Sequence, residues 1–361
     1  MPPKLHYAII PGDSFVVSWT QRTSAARDKL ELDEEVSLKM ETEEEALCFP
    51  HLLNSSCRKS QSHSFHVYFV YALLTLISLF TTILNLLVII SIAHFRQLHS
   101  STNLILLSLA VSDFLIGLVV IPIHGLMWRT CWFFGDILCA LYYLLPSSLT
   151  TSSVETVVLI SVDRYLAIID PLHYQIRMTD KVVNRSISLC WLYAFIYAIF
   201  ISFDNLQNPG KYKSCDGECM VHFSKEADII FVFVIPVIII IVLYMRVFVV
   251  AMSQARIMRS HVTTVTCKAS KNTEIKAARN LGIVVIVYLM CYCPYYCVAY
   301  SGVNLLFLGA PIEMVMLFLM LFNSCLNPLI YAMLYPWFRK TIELIVTLKI
   351  LRSGSRDFMV L

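Results

Sequence analysis

The chain has 361 residues, of which 58% are hydrophobic and 15% are charged, and its formal net charge is +3. Soluble domains carry about 25% charged residues, so this composition excludes an ordinary soluble globular protein. No segment combines basic residues with the stacked aromatic side chains of a nucleic-acid interface, so no nucleic acid is expected as a partner.

The N-terminal tail, residues 1–64, is largely polar, and no cleavable signal peptide is expected in it. Residues 1–39 are interpreted as an upstream extension without a fold, and a real polar tail remains the alternative. Asn54-Ser55-Ser56 is an N-glycosylation sequon. Because this tail is expected to lie outside the cell, Asn54 is the predicted glycosylation site.

Seven apolar stretches, almost free of charged residues, follow the tail. A helix crosses the hydrocarbon core of a bilayer in about 20 residues. The predicted spans 1 to 7, in chain order, are 67–93, 103–126, 136–160, 185–203, 228–251, 280–302 and 312–334. We therefore expect an all-α membrane protein, a seven-transmembrane helix bundle over residues 65–336 that contacts membrane lipid.

The distribution of lysine and arginine predicts the orientation of the bundle in the cell membrane. These residues concentrate in the loops on the side of the C-terminus, and basic loops stay in the cytoplasm. The N-terminus is therefore expected outside and the C-terminus inside. A short amphipathic cytoplasmic helix is expected after the last span, within residues 337–361.

The chain has twelve cysteines, and their predicted positions divide them into two groups. Those on the extracellular side, where oxidation is expected, are Cys48, Cys57, Cys131, Cys139, Cys215 and Cys219. A bridge between Cys139 and Cys219 would hold the long loop before span 5 over the mouth of the bundle. Spacing alone does not decide the pairing.

Ionisable residues within hydrocarbon are costly and are therefore candidates for function. Asp113 lies in the middle of span 2, and four polar residues of other spans are available to it. Together these residues are a candidate site for an allosteric Na⁺ ion: Asp113, Ser153, Asn323, Ser324 and Asn327. A hydrated polar network without an ion is the alternative.

A second polar group is predicted at the cytoplasmic end of span 3. Arg164 there can pair with its neighbour Asp163 and with Glu274 near the start of span 6. A charged link between two helix ends is a candidate latch that opens when the helices separate. Snorkelling of Arg164 to the membrane interface is the alternative.

Asp228, near the outer end of span 5, is the candidate ligand-binding residue. If its carboxylate faces the bundle cavity, it needs a cationic partner, and an ammonium group of a ligand would serve. If it faces the interface, it is a solvated residue beside Lys225. The residues predicted to line such a pocket with it are Tyr142, Tyr143, Ser147, Thr150, Tyr292, Tyr295 and Tyr296.

The motifs of the spans resemble those of rhodopsin-like G-protein-coupled receptors over residues 65–348. The residues that carry this resemblance are Asn85, Leu109-Ala110-Val111-Ser112-Asp113, Asp163-Arg164-Tyr165, Trp191, Pro236 with Tyr244, Pro294, and Asn327-Pro328-Leu329-Ile330-Tyr331. The resemblance implies a heterotrimeric G protein as partner and roles in activation for Tyr165, Tyr244 and Tyr331. Two positions depart from the pattern: Leu84 stands in place of the usual glycine, and Tyr292 in place of the tryptophan that repacks on activation.

A narrower resemblance points to the trace amine-associated receptors. It rests on residues 323–331 followed by Tyr335-Pro336-Trp337-Phe338, on Cys215-Asp216-Gly217-Glu218-Cys219, and on the tail pattern of residues 47–57. The style of these motifs resembles that of the fish members of the family. The resemblance implies detection of amines in olfactory sensory neurons, coupling to a stimulatory G protein and a rise in cyclic AMP. It also implies the disulfides Cys139–Cys219 and Cys57–Cys215.

The residue at the usual amine anchor departs from the family pattern. Amine receptors carry an aspartate seven residues after the cysteine of span 3, where this chain has Pro146. Family members without that aspartate carry one in span 5, at the position of Asp228. The resemblance therefore favours Asp228 as the counter-ion of an amine, and a receptor for a non-amine ligand with a structural Asp228 is the alternative.

Two other classes of membrane protein are less consistent with this sequence. A transporter would show internal repeats and broken helices around a site in the middle of the membrane, and no repeat is visible. An enzyme needs a nucleophile with a base or a metal cluster, which His94, His99 and His124 do not form. No cofactor other than the Na⁺ ion is expected.

Overall fold

The computed structural model describes residues 45–60, 65–127, 130–260, 265–301, 306–307, 310–352 and 354–360. Contacts between residues divide the chain into two units, one of which comprises residues 47–59 and 63–361. This larger unit contains the helices, and the following description concerns it. Of the other unit, only residues 45, 46 and 60 fall within the described ranges.

The described residues contain seven long helices, which correspond in order to the predicted spans. They cover Phe65–His94, Ser101–Met127, Gly135–Ile169, Asp180–Ile201, 225–260, Val265–Ser301 and Ile312–Leu334. Within the same ranges, five of them (spans 1, 2, 4, 5 and 7) are long and apolar enough to cross a membrane by length and composition. The fold is a seven-transmembrane helix bundle, as predicted.

Span 3 carries more serine and threonine residues than these five helices, and it lies among several of the other helices. It is 35 residues long and packs against spans 2, 4, 5 and 6. Five of its serine and threonine residues between positions 147 and 156 are at most 3% exposed: Ser148, Thr151, Ser152, Ser153 and Thr156. Several of these hydroxyl groups bond to backbone carbonyls of the preceding turn, as Thr156 does to Ser152 at 2.7 Å. Local bonds of this kind satisfy polar groups inside a bundle.

Two spans contain a π-helical turn just before a proline. The turns are Ile116–Val120 in span 2, ahead of Pro122, and Ile229–Val234 in span 5, ahead of Pro236. Proline has no N–H to donate to the carbonyl four residues earlier, so the helix widens locally. The wider turn changes the direction of the side chains that precede it, and Asp228 is the residue immediately before the turn of span 5.

Three disulfides lie at one end of the bundle, which we call the disulfide end. They join Cys48–Cys131, Cys57–Cys215 and Cys139–Cys219. The two-stranded sheet of β1 (Glu45–Leu47) and β2 (Arg58–Ser60) flanks the segment between Cys48 and Cys57. The antiparallel strands β3 (Leu306–Phe307) and β4 (Ala310–Pro311) precede span 7.

Gly217 allows the loop before span 5 to pass close to the N-terminal segment. Its φ of +102° is in the left-handed region, and a Cβ atom added there would lie 2.6 Å from the Cβ atom of Cys48. The backbone around it bonds to both neighbouring segments, because Asp216 donates to the Ser55 carbonyl and Trp132 donates to the Gly217 carbonyl. The two loops and the N-terminal segment are thus joined by hydrogen bonds as well as disulfides.

The opposite end of the bundle, the tail end, carries the short helix Pro336–Val346. Pro336 occupies its first turn, where a missing N–H costs nothing, and Trp337 and Phe338 are buried against the bundle. Arg339 donates to the carbonyls of Ala332 and Met333 at the end of span 7. The predicted amphipathic helix after the last span is therefore present.

Candidate functional site

A cavity of about 600 Å³ opens at the disulfide end of the bundle. Its walls come from spans 2 to 7 and from loop residues 219–223. Most of the residues predicted to bind a ligand lie on these walls: Tyr143, Ser147, Thr150, Asp228, Tyr295 and Tyr296. Val232, Leu317 and Leu321 supply apolar surface, so the cavity combines an apolar wall with a few polar groups, as ligand pockets usually do.

Asp228 ends the first turn of span 5 and is half-buried. Its Oδ2 atom accepts a hydrogen bond from the Tyr296 hydroxyl at 3.1 Å, and its Oδ1 atom accepts one from the Tyr197 hydroxyl at 3.4 Å. Phenols are neutral donors, so the two bonds orient the carboxylate without neutralising its charge. Among the described residues that line the cavity, none is a lysine or an arginine.

The predicted ion-binding residues meet in the interior of the bundle. Asp113 is fully buried, and its Oδ2 atom accepts a hydrogen bond from the Asn327 amide at 2.8 Å. Counting only donors in the described ranges, the Oδ1 atoms of Asp113, Asn323 and Asn327 are buried without a protein donor. Oxygen atoms of this kind are the ligands that hard cations prefer. Ser153 is close by but donates to the Ser112 hydroxyl at 2.9 Å.

Near the tail end of span 3, Arg164 is bonded to its neighbour Asp163. The guanidinium Nε atom lies 2.9 Å from the Asp163 carboxylate, which also accepts hydrogen bonds from Thr102 and Tyr174. Asp163 is thus fully paired within its own end of the bundle. The side chain of Glu274 lies outside the described residues, so the link between Arg164 and Glu274 stays a prediction.

The other residues assigned to activation lie between the helices near the tail end. Tyr331 is fully buried and its ring lies 6.1 Å from that of Tyr335, whereas Tyr165 and Tyr244 are half-buried. The hydroxyl groups of Tyr244 and Tyr331 are buried without a hydrogen-bond partner among the described residues. A buried hydroxyl group without a hydrogen bond destabilises the arrangement that contains it. A different arrangement of the helices could therefore give the hydroxyl groups of Tyr244 and Tyr331 hydrogen-bond partners.

Comparison with known proteins gives consistent matches. The family described as 7 transmembrane receptor (rhodopsin family) matches residues 84–331. Trace amine-associated receptor 7e of Mus musculus is 37% identical over 287 residues, which is 75% of this chain and 80% of the relative. Trace amine-associated receptor 4 of Mus musculus is 34% identical over 319 residues, which is 84% of this chain and 92% of the relative.

The chain belongs to the trace amine-associated receptors, within the rhodopsin family. Trace amine-associated receptor 7a of Rattus norvegicus, 37% identical over 286 residues, is a further relative. The family resemblance inferred from the motifs is therefore confirmed. Members of this family are multi-pass membrane receptors with a small-molecule ligand and a G-protein partner, and they are not enzymes.

Two residues predicted to bind the ligand do not line the receptor's cavity. Tyr142 points toward span 2, where its hydroxyl bonds to the ring of His124. Tyr292 is 3% exposed and its ring lies 4.3 Å from that of Tyr288, one helical turn below the cavity residues of span 6. The prediction treated the tyrosines as one wall, although residues three or four positions apart on a helix differ in depth by about 5 Å.

Several residues of the receptor's site were missed by the sequence analysis. Tyr197 of span 4 contacts Asp228, while His124, Phe223 and Glu226 line the cavity. Within span 4, whose described helix is apolar, no sequence feature distinguishes the face of Tyr197 from the lipid-facing side. His124 carried a signal, because an ionisable residue in an apolar span is rarely without a partner.

The receptor contains both disulfides that the family resemblance implies, Cys57–Cys215 and Cys139–Cys219. The third, Cys48–Cys131, had no predicted pairing. The sequon residue Asn54 is exposed in the segment between Cys48 and Cys57. The hydroxyl of Ser56, which completes the sequon, accepts a hydrogen bond from the Phe49 amide at 2.8 Å.

Proposed function

We propose that this receptor detects amines in an olfactory sensory neuron and signals through a stimulatory G protein, which raises cyclic AMP. The ammonium group of the ligand pairs with the carboxylate of Asp228. The observation that carries this proposal is a negatively charged side chain on the wall of a cavity whose described lining holds no lysine or arginine. The names of the relatives, which refer to trace amines, support the same ligand class.

Pro146 supports a position of the amine that is shifted toward spans 5 and 6. It lines the cavity at the place where amine receptors carry an aspartate, so the only acids on the described wall are Glu226 and Asp228 at the start of span 5. Tyr296 and Tyr295 lie on the same side and offer ring faces to a cation. A cation–π contact contributes about 0.5–2 kcal/mol, depending on its exposure to water.

Binding acts by shifting an equilibrium that exists without ligand. In the structure Arg164 is bonded to Asp163, and the proposed second partner is Glu274. Outward movement of span 6 would separate Arg164 from Glu274 and open the tail end to a G-protein helix. In this proposal the disulfide end faces the outside, Asn54 is glycosylated, and a Na⁺ ion held by Asp113, with Asn323, Ser324, Asn327 and Ser153 around it, favours the unliganded state.

One observation favours the alternative of a non-amine ligand. The two phenol groups give each oxygen of Asp228 a hydrogen bond within the protein, as a structural carboxylate would have. The two functions differ in a simple property. An amine receptor loses its response when the carboxylate is replaced by an amide, whereas a structural carboxylate tolerates an isosteric acceptor.

The experiment is a cyclic-AMP screen of mono- and diamines on cells that express the wild type, Asp228→Asn or Asp228→Ala. We expect both variants to reach the surface and to lose the amine responses. Asp204→Asn is the matched control, since it removes a carboxylate that is bonded to Lys211 and Tyr212 in the loop rather than to the cavity. Wild-type potency in Asp228→Asn would remove the proposed function.

A further inference from the structure

Asp228 joins three helices through its two oxygen atoms. Tyr197 of span 4 is 6% exposed and bonds to Oδ1, and its ring packs near Tyr193 and Phe231 rather than on the cavity wall. Tyr296 of span 6 is also 6% exposed, and it bonds to Oδ2 from the cavity wall. One oxygen is thus held from outside the cavity and the other from within it.

An incoming ligand is expected to affect the hydrogen bonds from Tyr197 and Tyr296 to Asp228 differently. An ammonium group that enters the cavity meets the carboxylate on the side of Tyr296, whereas the bond from Tyr197 lies behind the carboxylate. An ammonium group adds the attraction between two opposite charges to its hydrogen bond, which a neutral phenol does not. The ammonium group therefore competes with the Tyr296 hydroxyl for Oδ2 and leaves the bond from Tyr197 in place.

The contacts of Tyr296 make it a link between spans 5 and 6. Besides its bond to Asp228, its ring stacks on that of Phe233 at 4.7 Å. Below it on the same face of span 6 come Tyr292 and Tyr288, four residues apart, which are 3% and 1% exposed. Tyr296 is thus the outermost of three buried tyrosines at four-residue spacing, and this row includes the residue that replaces the usual tryptophan.

We propose that Tyr197 is a positioning residue for Asp228, and that the bond from Tyr296 to Asp228 holds span 6 in its unliganded position until an ammonium group replaces it. This inference rests on the proposed function for the identity of the incoming group. The restraint itself exists without ligand. Its loss shifts the equilibrium toward the signalling state, because a bond made in only one state stabilises that state.

The restraint is tested by signalling in the absence of ligand, measured as cyclic AMP per receptor at the cell surface. Tyr296→Phe removes the donor and Asp228→Ala removes the acceptor, so each is expected to raise agonist-free signalling about three- to tenfold. Asp228→Asn keeps an acceptor oxygen, so its agonist-free signalling is expected to rise less than that of Asp228→Ala. The double variant with Tyr296→Phe and Asp228→Ala should equal either single variant, because both remove the same bond.

The positioning role is tested by amine potency. Tyr197→Phe is expected to raise the concentration for half-maximal response about three- to tenfold and to keep the maximal response. Structural damage would instead lower the maximal response and the surface level. Tyr193→Phe is the matched control, since it removes a hydroxyl from the residue one turn earlier, whose ring lies 6.1 Å from that of Tyr197.

The outcomes separate this inference from the proposed function. Wild-type agonist-free signalling in both Tyr296→Phe and Asp228→Ala would overturn the restraint, even if Asp228→Asn loses its amine response. Equal increases in Asp228→Asn and Asp228→Ala would also overturn it, because charge rather than the hydrogen bond would then be responsible. Unchanged potency in Tyr197→Phe would overturn the positioning role. The proposed function is overturned by a different result, namely an amine response that persists in Asp228→Asn.

Discussion

Moving the negative charge across the cavity is a strong test of how this receptor recognises its ligand. Pro146 lies within span 3 and lines the same cavity as Asp228, so an aspartate at that position adds a carboxylate to the opposite wall. The backbone tolerates this change, because removing an interior proline restores a helical hydrogen bond to the carbonyl of Tyr142. The variant to compare with Asp228→Asn is the double variant Pro146→Asp with Asp228→Asn.

The size of the effect follows from the bonds involved. A hydrogen bond to a charged group contributes about 1.5–3 kcal/mol, so Asp228→Asn is expected to lower amine potency about 10- to 150-fold. The carboxylate at position 146 is expected to raise amine potency at least about tenfold relative to Asp228→Asn alone, because a cavity of about 600 Å³ lets a small amine turn toward either wall. The assay is a cyclic-AMP dose–response at matched surface levels.

The control for this experiment is Pro146→Asn with Asp228→Asn, which restores the same backbone bond without a charge. It is expected to respond as poorly as Asp228→Asn. If the double variant with Pro146→Asp responds no better than this control, the reasoning that a carboxylate on the cavity wall is sufficient for amine recognition is refuted.

Three further predictions concern other regions of the receptor. Asp113→Asn is expected to abolish the effect of Na⁺ on agonist affinity. Agonist binding is measured in NaCl and in N-methyl-glucamine chloride, and an equal effect of Na⁺ on the wild type and on Asp113→Asn would contradict this prediction. Replacing Cys48 and Cys131 with serine frees the N-terminal segment at one of its two disulfides and is expected to lower the unfolding free energy by about 2–4 kcal/mol, which an unchanged thermal midpoint of the purified receptor would disprove. Gly217→Ala places a Cβ atom 2.6 Å from that of Cys48 in a backbone with φ of +102°, so we expect reduced surface delivery, while normal delivery with intact disulfides would show that the loop adapts.

The helix order and the apolar spans were predictable because each depends on local sequence. The thickness of the hydrocarbon core sets the length of an apolar run. The runs that contain the isolated Asp113 and the prolines at 236, 294 and 328 are longer than the apolar stretches of soluble helices. The family motifs then placed one marker in each span. The apolar runs and the motifs both depend on residues that are close in sequence, so the sequence of one chain is sufficient to find them.

The partners of side chains across the bundle were less predictable because they depend on how each helix is rotated. Tyr142 and Tyr143 are adjacent, yet one bonds to His124 and the other lines the cavity. Tyr197 contacts Asp228 from a helix that carries no charge near it. The π-helical turn before Pro236 changes the rotation of the start of span 5, and a regular helical periodicity does not include that change.

The central claim is that the carboxylate of Asp228 is the counter-ion of the ligand's ammonium group. The most direct measurement compares the binding affinity of an active amine with that of its neutral hydroxyl analogue, on the purified wild type and on Asp228→Asn. We predict that the wild type prefers the amine by at least about tenfold, which corresponds to about 1.4 kcal/mol, and that Asp228→Asn binds the two compounds about equally. An amine preference of the same size in Asp228→Asn would contradict the claim.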